Sequence, residues 1–211
     1  MTEYTQPIYL FRAFNDYERY APHFDIKHSI PAVDHFNIGY GQGRPVDIMK
    51  YKYLFFECAY VKTEADEKKL RSYDILVAGP GKFIFINDGV MKCLNHLVNR
   101  DIQVLPAEIH ARNKVIKGYH LIDIINTVHG VDRKRSTYTK FTGYLDKLVP
   151  KQVDFMKGHE MAREKEQYGN IYIISTLCEK ILKSKKGSKL RGLELCTAVE
   201  DEHGIKYVSL E

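Results

Sequence analysis

Tryptophan is missing from this chain, cysteine is sparse, and neither sign of charge dominates. Each shortage excludes something. Cys58, Cys93, Cys178 and Cys196 stand singly with no CxxC pair, so neither a disulfide framework nor a zinc site fits their spacing. Reduced thiols in the core of a cytosolic protein are the reading that remains. Nowhere do about 18 apolar residues run together, so no membrane span is expected. The opening "MTEYTQPIYLFRAF" lacks a basic start followed by a long apolar run, so export is not expected either. The formal charge of +5 is spread along the sequence and permits an acidic partner without demanding one.

What is present is ordinary for a folded chain. With 44% hydrophobic and 28% charged residues over 211 positions, the sequence can bury roughly 70% of its unfolded surface. Two of its stretches say nearly the same thing. "KFIFINDGVMKCLN" from Lys82 and "NIYIISTLCEKILK" from Asn170 each open with four apolar residues and then place Asn87 or Ser175, types that cap helices. Val90, Met91, Leu94 and Leu97 then form a one-sided stripe, as do Leu177, Ile181 and Leu182. Each copy continues into an alternating segment, "DIQVLPAEI" or "GLELCTAVE", the pattern of a half-exposed strand. Aligning Asn87 with Ser175 gives a spacing of 88, and Ile102 with Leu193 a spacing of 91, so three extra residues are assigned to the second helix-to-strand turn.

The sequence therefore predicts an α+β fold: mixed or antiparallel sheets, a few amphipathic helices, and two related strand-helix-strand halves. The boundaries expected are an irregular aromatic-rich segment over 1–50, a first half over 51–117 and a second over 118–211, packed as one two-lobed domain. Within them, "PIYLFRAF" and "YKYLFFECAYV" read as strands, and "KTEADEKKLRSYD" as a loop or short exposed helix. "YDILVAGPGKFIFI" reads as two strands turning at Gly79-Pro80-Gly81. "GYLDKLV", "QVDFMKG" and "GIKYVSL" supply further short strands, and "HEMAREKEQ" a solvated polar insertion.

Motifs with possible chemistry do not survive their own requirements. Lys82 in "AGPGKF" is followed by Phe83 and a strand, where a phosphate loop needs Ser or Thr opening a helix. The glycines of "GYGQGR" are misplaced for a dinucleotide site, and a flexible loop fits better. His23, His28 and His35 with Asp25 and Asp34 lack helical ligand spacing, and Pro31 interrupts them. His159-Glu160 lacks the second histidine of a zinc hydrolase, with Arg163 in its place. The basic run "KILKSKKGSKLRG" suits the carbonyl end of a helix that Gly187 can terminate. No catalytic residue, metal or cofactor is assigned.

A family resemblance enters with "KGYHLIDIINTVHGVDRKRSTY", "LVPKQVDFMKG", "NIYIISTLCEKILK" and "LRGLELCTAVED". These resemble the myxococcal-type immunity proteins of bacterial polymorphic toxin systems, over roughly residues 82–201. The resemblance rests on a strand ending in Asp123 and Asn126, the Asp132-to-Ser136 segment with Tyr138 beyond it, and the strand-helix followed by Gly192-Leu193. It implies a cytoplasmic protein that binds and neutralises a cognate toxin domain encoded beside it, without catalysis. Immunity proteins that fill basic nuclease clefts are often acidic, and the +5 charge departs from that, so the toxin's chemistry stays open. Asp132, Arg133, Lys134, Arg135 and Tyr138 are the candidate partner contacts, while Asp132 and Ser136 also suit bracing a turn. With no tryptophan, tyrosine is the expected anchor type. The rival classes are a nucleic-acid-binding module, disfavoured because most aromatics fall in strands, and an enzyme of unrecognised family.

Overall fold

The computed structural model describes residues 7–13, 40–47, 54–78, 83–186 and 188–210, together with the backbone of 23–24. The first strands are β1 (Ile8–Ala13), β2 (His23–Phe24), β3 (Leu54–Glu57), β4 (Ile75–Ala78), β5 (Phe83–Asn87) and β6 (Ile102–Leu105). Next come β7 (Ala107–Ala111), β8 (Lys114–Val115), β9 (Tyr119–Ile124), β10 (Thr127–Val128), β11 (Thr137–Tyr138) and β12 (Leu145–Lys147). The last are β13 (Met161–Glu164), β14 (Ile171–Ile174), β15 (Leu193–Asp201) and β16 (Gly204–Ser209). The helices are α1 (Glu64–Leu70), α2 (Asp88–Leu94) and α3 (Ser175–Ser184). The fold is α+β and mostly β, and among the described residues no helix is long and apolar enough to cross a membrane.

Two sheets carry the architecture. The first has the order β4-β5-β9-β6, antiparallel throughout. The second has the order β10-β13-β14-β1-β15-β16, antiparallel except where β10 meets β13. In the first, α2 leaves β5 and leads to β6 two places away, and β9 fills the gap; in the second, α3 leaves β14 and leads to β15, and β1 fills the gap. The repeat is therefore a four-stranded unit whose central strand comes after the helix in one copy and from ahead of both units in the other.

The register of the two copies differs from the alignment of Asn87 with Ser175. Asn87 is the N-cap of α2, its side chain accepting from the Val90 N–H at 2.9 Å. The equivalent cap of α3 is Ile174, which offers no side-chain hydrogen bond, and Ser175 is already helical. The spacing is thus 87, and it holds along the unit: Ile84 and Ile86 match Ile171 and Ile173 on the inner face. Ile102 and Leu193 keep their spacing of 91, since they pair with Ile124 and Ala13 at matching places, so the second turn is four residues longer. The helices touch at equivalent positions. The Lys180 ammonium donates to the Cys93 carbonyl at 2.9 Å and the Cys93 thiol to the Lys180 carbonyl at 3.7 Å, so a pseudo-twofold axis runs between them.

Burial follows from this arrangement. The inner faces of both sheets and the apolar stripes of α2 and α3 form one central core, with Phe11, Ile86, Ile122, Ile173, Leu177 and Leu195 among its members. All four cysteines are free and buried. The outer face of the first sheet is covered by a small sheet of order β2-β3-β7-β8 and by α1, through Leu54, Phe56, Ile109 and Leu70. α1 starts with a capping box between Thr63 and Asp66. The outer face of the second sheet is covered by the chain after β10, with Val131, Leu148, Phe155 and Met156 packed on Leu10 and Tyr172.

Several sequence expectations are corrected. "DIQVLPAEI" is not one strand but two in different sheets, broken at Pro106, which has no N–H to continue a ladder. "QVDFMKG" is irregular, although Phe155 and Met156 are core residues. "HEMAREKEQ" is solvated only at its end: Met161–Glu164 is a wholly buried strand, while Lys165, Glu166 and Gln167 are exposed. "GYGQGR" is not a free loop over its described part. The Tyr40 hydroxyl donates to the Ile122 carbonyl at 2.7 Å, the Gly41 N–H donates to Asp123 at 3.0 Å, and a Cβ on Gly43 would overlap the Thr127 methyl group. The turn at 79–82, Gly187 and the side chains of His23, His28, His35, Asp25 and Asp34 lie outside the described residues. Strand β9, within the span read as the second half, is hydrogen-bonded in the first sheet, and β1 in the second.

Candidate partner-docking surface

The surface of interest is built on buried polar groups that tie the two sheets together. Arg163, 4% exposed on β13, donates to Asp123 at 2.9 Å and to the carbonyls of Ile124 (3.2 Å) and Tyr168 (2.7 Å). Asp101, fully buried, accepts from His159 Nδ1 at 2.9 Å and from the Glu160 and Met161 N–H groups at 2.7 and 3.3 Å. Burial works to raise the Asp101 carboxyl, but His159, the two amides and Arg100 outweigh it and hold it below the ordinary carboxylate range.

Glu164 supports the surface directly. One carboxylate oxygen accepts from the N–H groups of Gly130 and Val131 and from the Tyr172 hydroxyl at 2.8 to 3.0 Å, and the other from the Glu166 N–H at 3.0 Å. Burial and this carboxylate push the Tyr172 hydroxyl up, so it stays a donor. His129, Glu164 and Glu166 bring potential ligand atoms within 4.8 Å of one another. Both oxygens of Glu164 already accept protein donors, and Glu166 accepts from Arg133 at 2.7 Å, so this trio fits a hydrogen-bonded brace.

Above that brace the chain turns at Asp132. Its N–H donates to the Val149 carbonyl at 2.9 Å, and its Oδ1 accepts from the N–H groups of Lys134 and Arg135 at 3.0 and 3.3 Å. Buried Ser136 accepts from the Val149 N–H at 2.9 Å. The two residues thus brace the turn as their chemistry suggests. Arg133 and Lys134 are exposed, and Arg135 lies 3.6 Å from Glu200. Asp132, Arg133 and Lys134 line an open groove of about 580 Å³ with His129, Lys151 and Val153. Arg135 lines a neighbouring groove of about 700 Å³ that shares Lys151, Gln152 and Val153 and ends at His159 and Glu160.

Tyr138 stands apart from both grooves, on the two-stranded ribbon of β11 and β12. The structure adds two residues that the sequence did not single out: Phe141, completely exposed at 101%, and Tyr144 at 71%. The signal was faint. "TKFTGY" has the Thr and Gly of a turn, which places an aromatic at a tip, but nothing in a sequence says whether a tip folds back. Comparison with protein-family models and with curated proteins finds no match for this chain.

Proposed function

We propose that this protein is an immunity protein that binds a cognate toxin domain in the cytoplasm and neutralises it by steric occlusion, without catalysis of its own. The observation that supports this reading best is the exposed cluster of Tyr138, Phe141 and Tyr144 beside the basic turn of Arg133, Lys134 and Arg135. Aromatic and arginine side chains are the types that dominate binding energy in protein interfaces. Here they sit on chain braced to a sheet through Glu164 and closed on itself between Ser136 and Val149, so little order has to be created on binding. A stable complex would bury about 1,600 Å² in total.

The deciding experiment is co-expression with the toxin domain encoded beside this gene, read by pull-down and by growth. Co-purification with restored growth is expected; survival of toxin-expressing cells that lack this protein would overturn the reading. A second reading has one observation in its favour, because Lys134, Lys140 and Lys147 alternate with the same aromatics, as in single-strand nucleic-acid binders. Retention on RNA or DNA that weakens steeply with salt would favour that reading instead.

A further inference from the structure

The ribbon that carries Phe141 differs from the rest of the surface in how it stands. Residues 137–144 are all exposed, eight in succession, while Leu145 packs partly and Leu148 and Val149 fully into the core beneath. Its tip is nevertheless folded. The Thr139 N–H donates to the Tyr144 carbonyl at 2.8 Å, and the Gly143 N–H to the Thr139 carbonyl at 3.0 Å. The Thr139 and Thr142 hydroxyls are in contact, and Gly143 takes the positive φ of +66° that closes the turn. At its base, the Leu148 N–H donates to the Tyr207 hydroxyl at 2.7 Å and ties the ribbon to β16.

A phenyl ring exposed on every side cannot be buried by a flat partner, which would cover one face only. Full burial requires a concave receptor, and an ordered tip enters one at low entropic cost. The charges along the ribbon and the turn before it are mainly of one sign. Lys140 directly precedes Phe141, Lys147 lies at the base of the ribbon opposite Thr137 and near Asp201, and Lys134 sits in the adjoining turn; among the described residues Lys134 and Lys140 form no ion pair. Asp146 is the acidic residue of the ribbon.

We infer that the β11–β12 ribbon is the element inserted into the partner: Phe141 and Tyr144 enter an apolar pocket on the toxin domain, and Lys134, Lys140 and Lys147 meet an acidic rim around it. This deepens the proposed function and rests on it. The partner surface so defined is a cleft with an apolar floor and carboxylates at its mouth, and filling that cleft is the occluding act. The grooves along Arg133 and Lys151 then border the contact rather than form its centre.

The test is calorimetric titration of the adjacent toxin domain into the wild-type protein, Phe141→Ala, Tyr144→Ala and Lys140→Glu, with thermal unfolding measured for each. Because the substituted side chains are exposed, Tm is expected to stay at the wild-type value. Phe141→Ala is expected to weaken binding about 30-fold or more, as for a central anchor. Lys140→Glu should slow association, an effect that shrinks as salt is raised. If the wild type binds and Phe141→Ala binds within twofold of it, the ribbon is not the inserted element, while the proposed function stands. If the wild type does not bind at all, both fall.

Discussion

Arg163 and Asp123 show at the scale of single residues what a sequence conceals. Arg163 sits among charged residues in "HEMAREKEQ", and its partner lies 40 positions earlier on another sheet. Local composition reads the segment as solvated because the compensating carboxylate is supplied by the fold. Asp132 and Ser136, whose hydrogen bonds are local or reach one neighbouring segment, were legible from chemistry alone. Removing the guanidinium leaves a buried carboxylate without its cation, so Arg163→Ala is expected to destabilise the protein by about 3–5 kcal/mol in urea unfolding. The double variant D123N/R163M should recover part of that loss. Asp101 sets a pH dependence. Its folded pKa lies below the unfolded value of about 3.9, so its stabilisation is fully present above that value and is lost as pH falls through the folded pKa. The urea midpoint should drop in acid, and Asp101→Asn should reduce the slope of that drop; an unchanged slope would show that Asp101 contributes nothing to it.

At the scale of elements, the helices were readable and the strand partners were not. Stripe spacing placed α2 and α3 because a helix's buried face is written in its own 3.6-residue period. Alternation placed a single strand over 101–109, but alternation does not say which sheet a strand joins, and Pro106 divides that stretch between two. The caps separate two residues that look alike in sequence. Asn87 caps α2 and also donates to Asp74 at 2.9 Å, whereas Ser175 lies inside α3. Asn87→Ala is therefore expected to cost about 1–2 kcal/mol, and Ser175→Ala within about 0.5 kcal/mol of nothing, both by denaturant unfolding. Equal losses would return Ser175 to the cap position.

Over the whole molecule, duplication was visible in sequence while the exchange of central strands was not, because β1 and β9 share no local motif and only pairing reveals their equivalence. The central core draws on both units, so the protein should unfold as one. Phe11, 1% exposed, is the β1 residue buried in that core, with Tyr9 and Ala13 packed beside it. Phe11→Ala is expected to cost about 3–5 kcal/mol while tyrosine fluorescence and far-UV circular dichroism still report a single transition. Two separated transitions would mean that the units hold independently. The borrowed strand also has a consequence during translation. The first sheet has all its strands once Ile124 has left the ribosome, but β1 precedes that sheet in the chain and pairs with Tyr172 and Cys196, which emerge only after it. In that interval an apolar strand must wait beside a finished neighbour, open to capture by other nascent chains, and the order of emergence rather than final stability becomes the hazard this architecture carries.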